Sequence, residues 1–204
     1  MGNITLTIIF LTSLISIAGF RQSKIIDELI FWPPAINQKH QYYRFITCGL
    51  IHADYMHLIF NMVTLYFFGT YMEAHYQGDL GLQKWYYLAL YIGALIVSNI
   101  PTYLKHRNDE DYRSLGASGA VSAVLFTFIL LEPWHIIYVF FIPVPAIVYG
   151  GLFLFYSAYM SRKGGDHVNH DAHFYGALFG VLFTIAIRPD VINIFWNELT
   201  HPHL

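Results

Sequence analysis

Residues 115–131 read LGASGAVSAVLFTFILL, a run without a single charge that opens on Gly116, Ala117, Ser118 and Gly119. A bilayer core roughly 30 Å thick takes about 20 residues of helix, about 17 at the short end, so this run predicts a membrane span. Outward from it, charge-poor stretches approaching that length recur at Ile4–Phe20, Leu50–Met72, Trp85–Leu104, Pro145–Ser161 and Ala172–Ile187. Proline is favoured at the first helical position, which sets the start of the fifth stretch at Pro145. The pattern predicts an all-α polytopic bundle of six transmembrane helices, one membrane domain over residues 1–204 with no internal repeat. Between the first two spans, residues 21–48 interleave Lys24, Asp27, Glu28, Lys39 and Arg44 with Phe31, Trp32, Tyr42 and Tyr43, which suits a loop lying at the headgroups. Residues 188–204 are expected to form a short tail, disordered at His201 and His203.

Composition sets the same limits. Hydrophobic residues make up 56% of the chain and charged residues 12%, about half the charge of a soluble domain. A net charge of −2 without a basic run excludes nucleic acid as a partner. Cys48 is the sole cysteine, so no intrachain disulfide forms. Residues 4–20 lack the basic start and cleavage pattern of a secretory signal and read as a retained helix.

Ionisable side chains inside a span cost about 2.5–3.5 kcal/mol each and face the bundle interior. Here they cluster. If every stretch crosses once, the second, fourth and sixth spans all start on one side of the membrane. His52, His57 and Asn61 stand near the start of the second, Ser118 near that of the fourth and His173 near that of the sixth, so they share a depth. His57 and Asn61, four apart, lie on one helical face. His173, Gly176 and Gly180 form one stripe whose glycines allow close helix approach, and Gly116, Gly119 and Ala123 offer a matching surface beside Ser118. Packing the two surfaces together brings the Ser118 hydroxyl to the His173 ring, a nucleophile with a general base. The unpartnered amides at the start of the fourth helix, with the Asn61 amide and the His57 ring, are candidate oxyanion donors. No acidic third member is evident, and Asp171 reads as a helix-start residue.

These residues resemble the rhomboid family of intramembrane serine proteases. The match rests on Gly116-Ala117-Ser118-Gly119, on His173 with Gly176 and Gly180, and on His52, His57 and Asn61, and it covers residues 43–187. The resemblance implies a Ser118–His173 dyad, an oxyanion hole from the Ser118 backbone amide, His57 and Asn61, and no cofactor. It implies substrates that are single-span or multi-span membrane proteins, cut near the membrane edge, and a multi-pass location in the bacterial inner membrane. The Trp-Arg pair common in the family before the second span stands here as Tyr43-Arg44. The family's orientation puts Arg21, Lys24, Lys39, Arg44, Lys105, Arg107, Arg113, Arg162 and Lys163 on the extracytoplasmic face against Lys84 and Arg188 on the other, the reverse of the positive-inside rule.

His52 reads at least as well as a hydrogen bond that orders the first loop. His167 and His170 are expected in a solvated loop. With no H-E-x-x-H, and no Glu or Cys in the polar cluster, the histidines do not make a metal site. Ala120 after Gly119 breaks the soluble-hydrolase pattern G-x-S-x-G. The competing class is a relative that binds membrane helices without cutting them. The fifth helix, entered through Pro143 and Pro145 and poor in small-residue packing, is the expected gate.

Overall fold

The computed structural model describes residues 3–78, 80–139, 141–165 and 168–201; the expectations for His167 and His203 fall outside them. The chain runs through α1 (Ile4–Arg21), α2 (Ser23–Leu29), α3 (Pro33–Lys39), α4 (Arg44–Thr47), α5 (Tyr55–Thr64), a π-turn (Leu65–Gly69), α6 (Thr70–Gln77), α7 (Trp85–His106) and α8 (Ser118–Leu131). A hairpin of β1 (Ile136–Val139) and β2 (Ile142–Pro145) follows, then α9 (Ala146–Lys163), α10 (His170–Ile187) and α11 (Val191–Thr200). Among the described residues α1, α7 and α10 are long and apolar enough to cross a membrane, while the apolar α8 is shorter.

At the centre, α8 is wrapped by α7, α10 and the α5–α6 unit, and residues 119–131 are all buried. A Cβ at Gly176 would collide with the Gly119 carbonyl, and one at Gly180 with the Ala123 carbonyl, so α8 and α10 touch backbone to backbone. Further along the same contact, the Thr127 hydroxyl lies 3.2 Å from the Gly180 carbonyl oxygen and 3.2 Å from the Thr184 hydroxyl, which in turn meets Tyr76 of α6 at 3.0 Å. These hydroxyls satisfy one another where water is absent.

A buried carboxylate fastens α1. Glu73 of α6 accepts from the Ile4 and Thr5 amides at 2.7 and 2.8 Å, and the Thr5 hydroxyl donates to Tyr87 of α7 at 3.0 Å. The first amides of a helix have no acceptor of their own, and the positive end of its dipole favours an anion.

Three expectations change, and one stretch between helices takes a regular form of its own. The loop of residues 21–48 is three short helices, and Arg44 is buried among them: it donates to the Asp27 and Ile30 carbonyls and to Gln41. The fourth helix starts at Ser118, not Leu115, because Gly116 sits at φ 120°, a conformation closed to side-chain-bearing residues. The aromatic stretch before the fifth helix is a hairpin in which β-branched Ile136, Ile137, Val139, Ile142 and Val144 favour the pleat. The tail is a helix. Arg188 grips Asp190 at 2.8 and 2.6 Å and holds its carboxyl below the usual range, Val191 is buried, and Trp134 donates to the Leu199 carbonyl at 3.2 Å. Ten residues are too few to register as a span, which hid this helix from a length criterion.

Glu73→Ala strands the buried Thr5 amide and the half-buried Ile4 amide and should lower stability by about 2–4 kcal/mol. Glu73→Gln, which keeps one acceptor oxygen, should lose roughly half as much. Reversible unfolding in detergent reads both.

Candidate active site

The start of α8 brings Ser118 to the surface of a recess walled by α10. Ser118 Oγ lies 2.8 Å from His173 Nε2. Both residues are half-buried, as a reacting pair needs to be. The Phe153 ring of α9 stacks on the His173 imidazole at 5.8 Å and 27°, and the His170 ring meets it edge-on at 5.8 Å.

The chain before Ser118 is fixed from both sides. The Phe31 and Ser114 backbones exchange hydrogen bonds at 3.0 and 3.1 Å, and Gly116 N donates to the Cys48 carbonyl at 2.9 Å. Ala117 N donates to His52 Nε2 at 3.4 Å, so that nitrogen carries no proton and Nδ1 does. Nδ1 therefore donates to Ser16 Oγ at 3.0 Å, and Ser16 donates to the Leu50 carbonyl at 3.0 Å. This wholly buried relay links α1, the approach to α5 and the segment leading into α8. The Ser118, Gly119 and Ala120 amides that follow open the helix and have no helical acceptor.

His57 packs its ring against Gly116, where a Cβ would come within 2.7 Å of Cε1 and 2.8 Å of Nε2. Gly116 therefore belongs to the loop that seats His57, not to the small face of the fourth helix. That face is formed by Gly119 and Ala123. Asp54 caps α5 by accepting from His57 N at 2.8 Å. The Asn61 amide donates to the His57 carbonyl at 2.9 Å, which uses one of its two hydrogens and leaves the other for a ligand.

Asn169, not Asp171, caps α10: its Oδ1 accepts from Ala172 N at 3.1 Å and from Thr102 at 3.0 Å. Its amide donates to Asn99 and to Ser114, each at 3.4 Å. Asp171 turns to Ser161 and to Lys105, the latter at 3.7 Å. His170 is buried in the first turn of α10 rather than solvated. Asn99, Asn169, Ser98 and Ser114 line a cavity of about 10 Å³ behind Ser118, close to the smallest that admits one water. Ser98 Oγ, buried there, meets no hydrogen-bond partner among the described residues. The adjacent Ser98 and Asn99 within an apolar span are the sequence signal for this polar pocket.

Loop residues on either side of Phe31 and Ser114 hold one another. Trp32 lies beneath Arg113 and Lys39, with cation-to-ring distances of 4.8 and 5.4 Å, and His106 bonds Asp109 at 2.9 Å. That bond holds the Asp109 carboxyl below its usual range, so the clasp is present at neutral pH and is lost as acid protonates Asp109. Among the described residues no group of three or more metal-ligating side chains occurs.

A cleft of about 840 Å³ opens between α5–α6, the hairpin and α9, walled by Phe60, Phe67, Tyr71, Phe128, Tyr138 and Tyr149. It is apolar and lies in the half of the bundle away from Ser118.

Residues 39–190 match the family model described as the Rhomboid domain. RHOMBOID-like protein 12, mitochondrial, of Arabidopsis thaliana is 30% identical over 159 residues, which are 70% of this chain and 46% of that protein. YdcA of Bacillus subtilis (strain 168), which also carries a rhomboid name, is 32% identical over 91 residues, 45% of this chain and 42% of that protein. The chain thus spans less than half the length of these curated relatives.

Gly176→Ala should push the α8 and α10 backbones apart, lengthen the Ser118–His173 contact past about 3.5 Å and lower stability by about 1–3 kcal/mol. Detergent unfolding and a structure of the variant measure the two effects.

Proposed function

The chain belongs to the rhomboid family, and from that premise we propose that it is an intramembrane serine endopeptidase in which Ser118 attacks a peptide bond of a membrane-embedded substrate and His173 is its base. The observation that carries this is the 2.8 Å contact between Ser118 Oγ and His173 Nε2 at the recessed start of α8.

The spans are α1, α5–α6, α7, α8, α9 and α10, six crossings in one domain, with α11 at the surface. At 1.5 Å per residue, the 14 residues of α8 reach only about 21 Å, short of a core of roughly 30 Å. Its first residue therefore lies below the membrane surface, where polar side chains from neighbouring helices enclose a wet recess in the lipid.

In the reaction Ser118 Oγ bonds to the scissile carbonyl carbon while its proton passes to His173 Nε2. The resulting oxyanion points at the Ser118 amide, the His57 ring and the remaining Asn61 hydrogen; each such donor contributes about 2.7–4 kcal/mol. His173 then returns the proton to the leaving amine as the C–N bond breaks. A water from the Asn99–Asn169 cavity hydrolyses the acyl-enzyme by the same path in reverse. His52 acts by holding the Ala117 amide, and so the segment carrying Ser118, in place. No cofactor enters.

The aromatic cleft between α5–α6 and α9 suits the far half of a substrate helix, with α9 tilting to admit it. Cleavage needs the substrate backbone unwound at the membrane edge, which favours Gly, Ala or Pro there.

Purified protein in detergent should be labelled by a fluorophosphonate at Ser118. Ser118→Ala and His173→Ala should each lower cleavage of a reconstituted single-span substrate by at least about 10³-fold. A folded wild type that is neither labelled nor active would make the chain a binder of membrane helices instead. Leucine in place of the substrate's Gly, Ala or Pro residues at the membrane edge should slow cleavage severalfold; an unchanged rate would reject the unwinding step.

A further inference from the structure

The aromatic cleft between α5–α6 and α9 leads into a second cavity. His135 and Ile136 belong to the walls of both, and the second, of about 710 Å³, is enclosed by the ends of α6 and α8, the start of the hairpin and α11. Its chemistry differs from that of the cleft: His75, Glu132, His135 and Glu198 stand there among apolar residues. Glu132, which follows α8, accepts from Tyr71 of α6 with one oxygen at 2.8 Å. Glu198 is carried in by α11, which is held to the bundle by the Trp134–Leu199 bond at 3.2 Å. Both carboxylates are half-buried, and among the described residues neither makes an ion pair. Two other acids at this end of the bundle are matched, Glu73 by the α1 amides and Asp190 by Arg188. Among the described residues the Lys and Arg of this end are Lys84 and Arg188. Removing a carboxylate from water without a cation beside it costs free energy, and here two share one cavity.

We propose that Glu132 and Glu198 form a subsite for the Lys or Arg residues that follow a substrate's membrane span, so that helices are selected by the charge at the end far from the cut. This rests on the Ser118–His173 reading above. Membrane proteins gather Lys and Arg close to the span on one side of the bilayer, so a basic flank is a feature that substrates of this class carry already. The cleft takes the apolar half of the helix, and the cavity at its end offers carboxylates to the cations that come next. Lys and Arg lay their stems along an apolar wall and place the charged head among polar groups, which suits a cavity of this mixed lining. Distance sets a register. The 14 residues of α8 separate Ser118 from Glu132, about 21 Å at 1.5 Å per residue. A substrate held at Ser118 by its scissile bond and running as a helix beside α8 reaches the cavity about 14 residues further on. A few unwound residues near the cut, at about 3.3 Å each, shorten that count to about 10. The two carboxylates touch no reacting atom, so they bind the ground state and the transition state alike and act on KM rather than kcat.

The test uses full-length protein in lipid-free detergent and single-span substrates that share one cleavage region. One carries a Lys run starting about 12 residues beyond the cut, and the other a Gln run in its place. Wild type should show a KM about tenfold lower for the Lys substrate at equal kcat. Glu132→Gln combined with Glu198→Gln should bring the two KM values together, and Glu132→Lys combined with Glu198→Lys should favour a Glu run over a Lys run. Glu28→Gln, an exposed site at the Ser118 end, should keep the wild-type preference. Fluorophosphonate labelling of Ser118 reports folding in each variant. Should the double Gln variant fail to label, Glu198→Gln alone serves under the same criteria. Equal KM values in wild type, or a preference that survives both Gln substitutions, would overturn the proposal while the dyad stands. So would loss of the preference when phosphatidylethanolamine is added to the micelles, because the cavity would then belong to lipid amines. If wild type itself shows no Ser118-dependent labelling, the dyad and the subsite fall together.

Discussion

The backbone contact between α8 and α10 is the constraint on which the rest of the structure depends. Gly176 and Gly180 meet the carbonyls of Gly119 and Ala123 with no room for even a methyl group between them. In lipid there is no hydrophobic gain from pressing two apolar helices together, so association draws on dispersion and close approach, which small residues permit. That approach sets the distance from Ser118 to His173. A helix separation larger by one methyl group would put the hydroxyl beyond reach of the ring.

Around this contact the polar groups occupy two ends. Away from Ser118, Glu73 bonds the α1 amides, and Thr127, Thr184 and Tyr76 bond one another, which holds helices in register. At the Ser118 end, Ser98 Oγ has no described partner, one Asn61 hydrogen is uncommitted, and a water-sized cavity lies behind the hydroxyl. Saturated networks give rigidity in a low-dielectric interior.

Much of this was legible in residue order. The charge-poor runs located apolar helices, three of them long enough to cross a membrane among the described residues, and the clustering of His52, His57, Asn61, Ser118 and His173 at the starts of alternate runs pointed to a common depth. The glycine spacing indicated which faces meet. Elsewhere local pattern misled. Gly116 looked like part of a helical stripe, but its φ of 120° takes it out of the helix and against His57. Asp171 does stand in the first turn of its helix, but the cap is Asn169, whose side chain reaches the Ala172 amide while also meeting Thr102, Asn99 and Ser114. Arg44 and His170, polar and near loops, are both buried, and no one-dimensional pattern records the Asp27 and Ile30 carbonyls that receive Arg44.

By itself the sequence determined that the chain is a helical membrane protein and which side chains share a depth, because both follow from periodicity and from the high cost of placing charge in hydrocarbon. Only the tertiary structure decided the partners across helices: Ser16 with His52, Glu73 with the start of α1, Phe153 with His173. Each joins residues more than 15 apart in the chain, through the rotation of one helix about its own axis. That rotation is fixed by the packing of all neighbouring helices at once, and no local stretch of residues contains it.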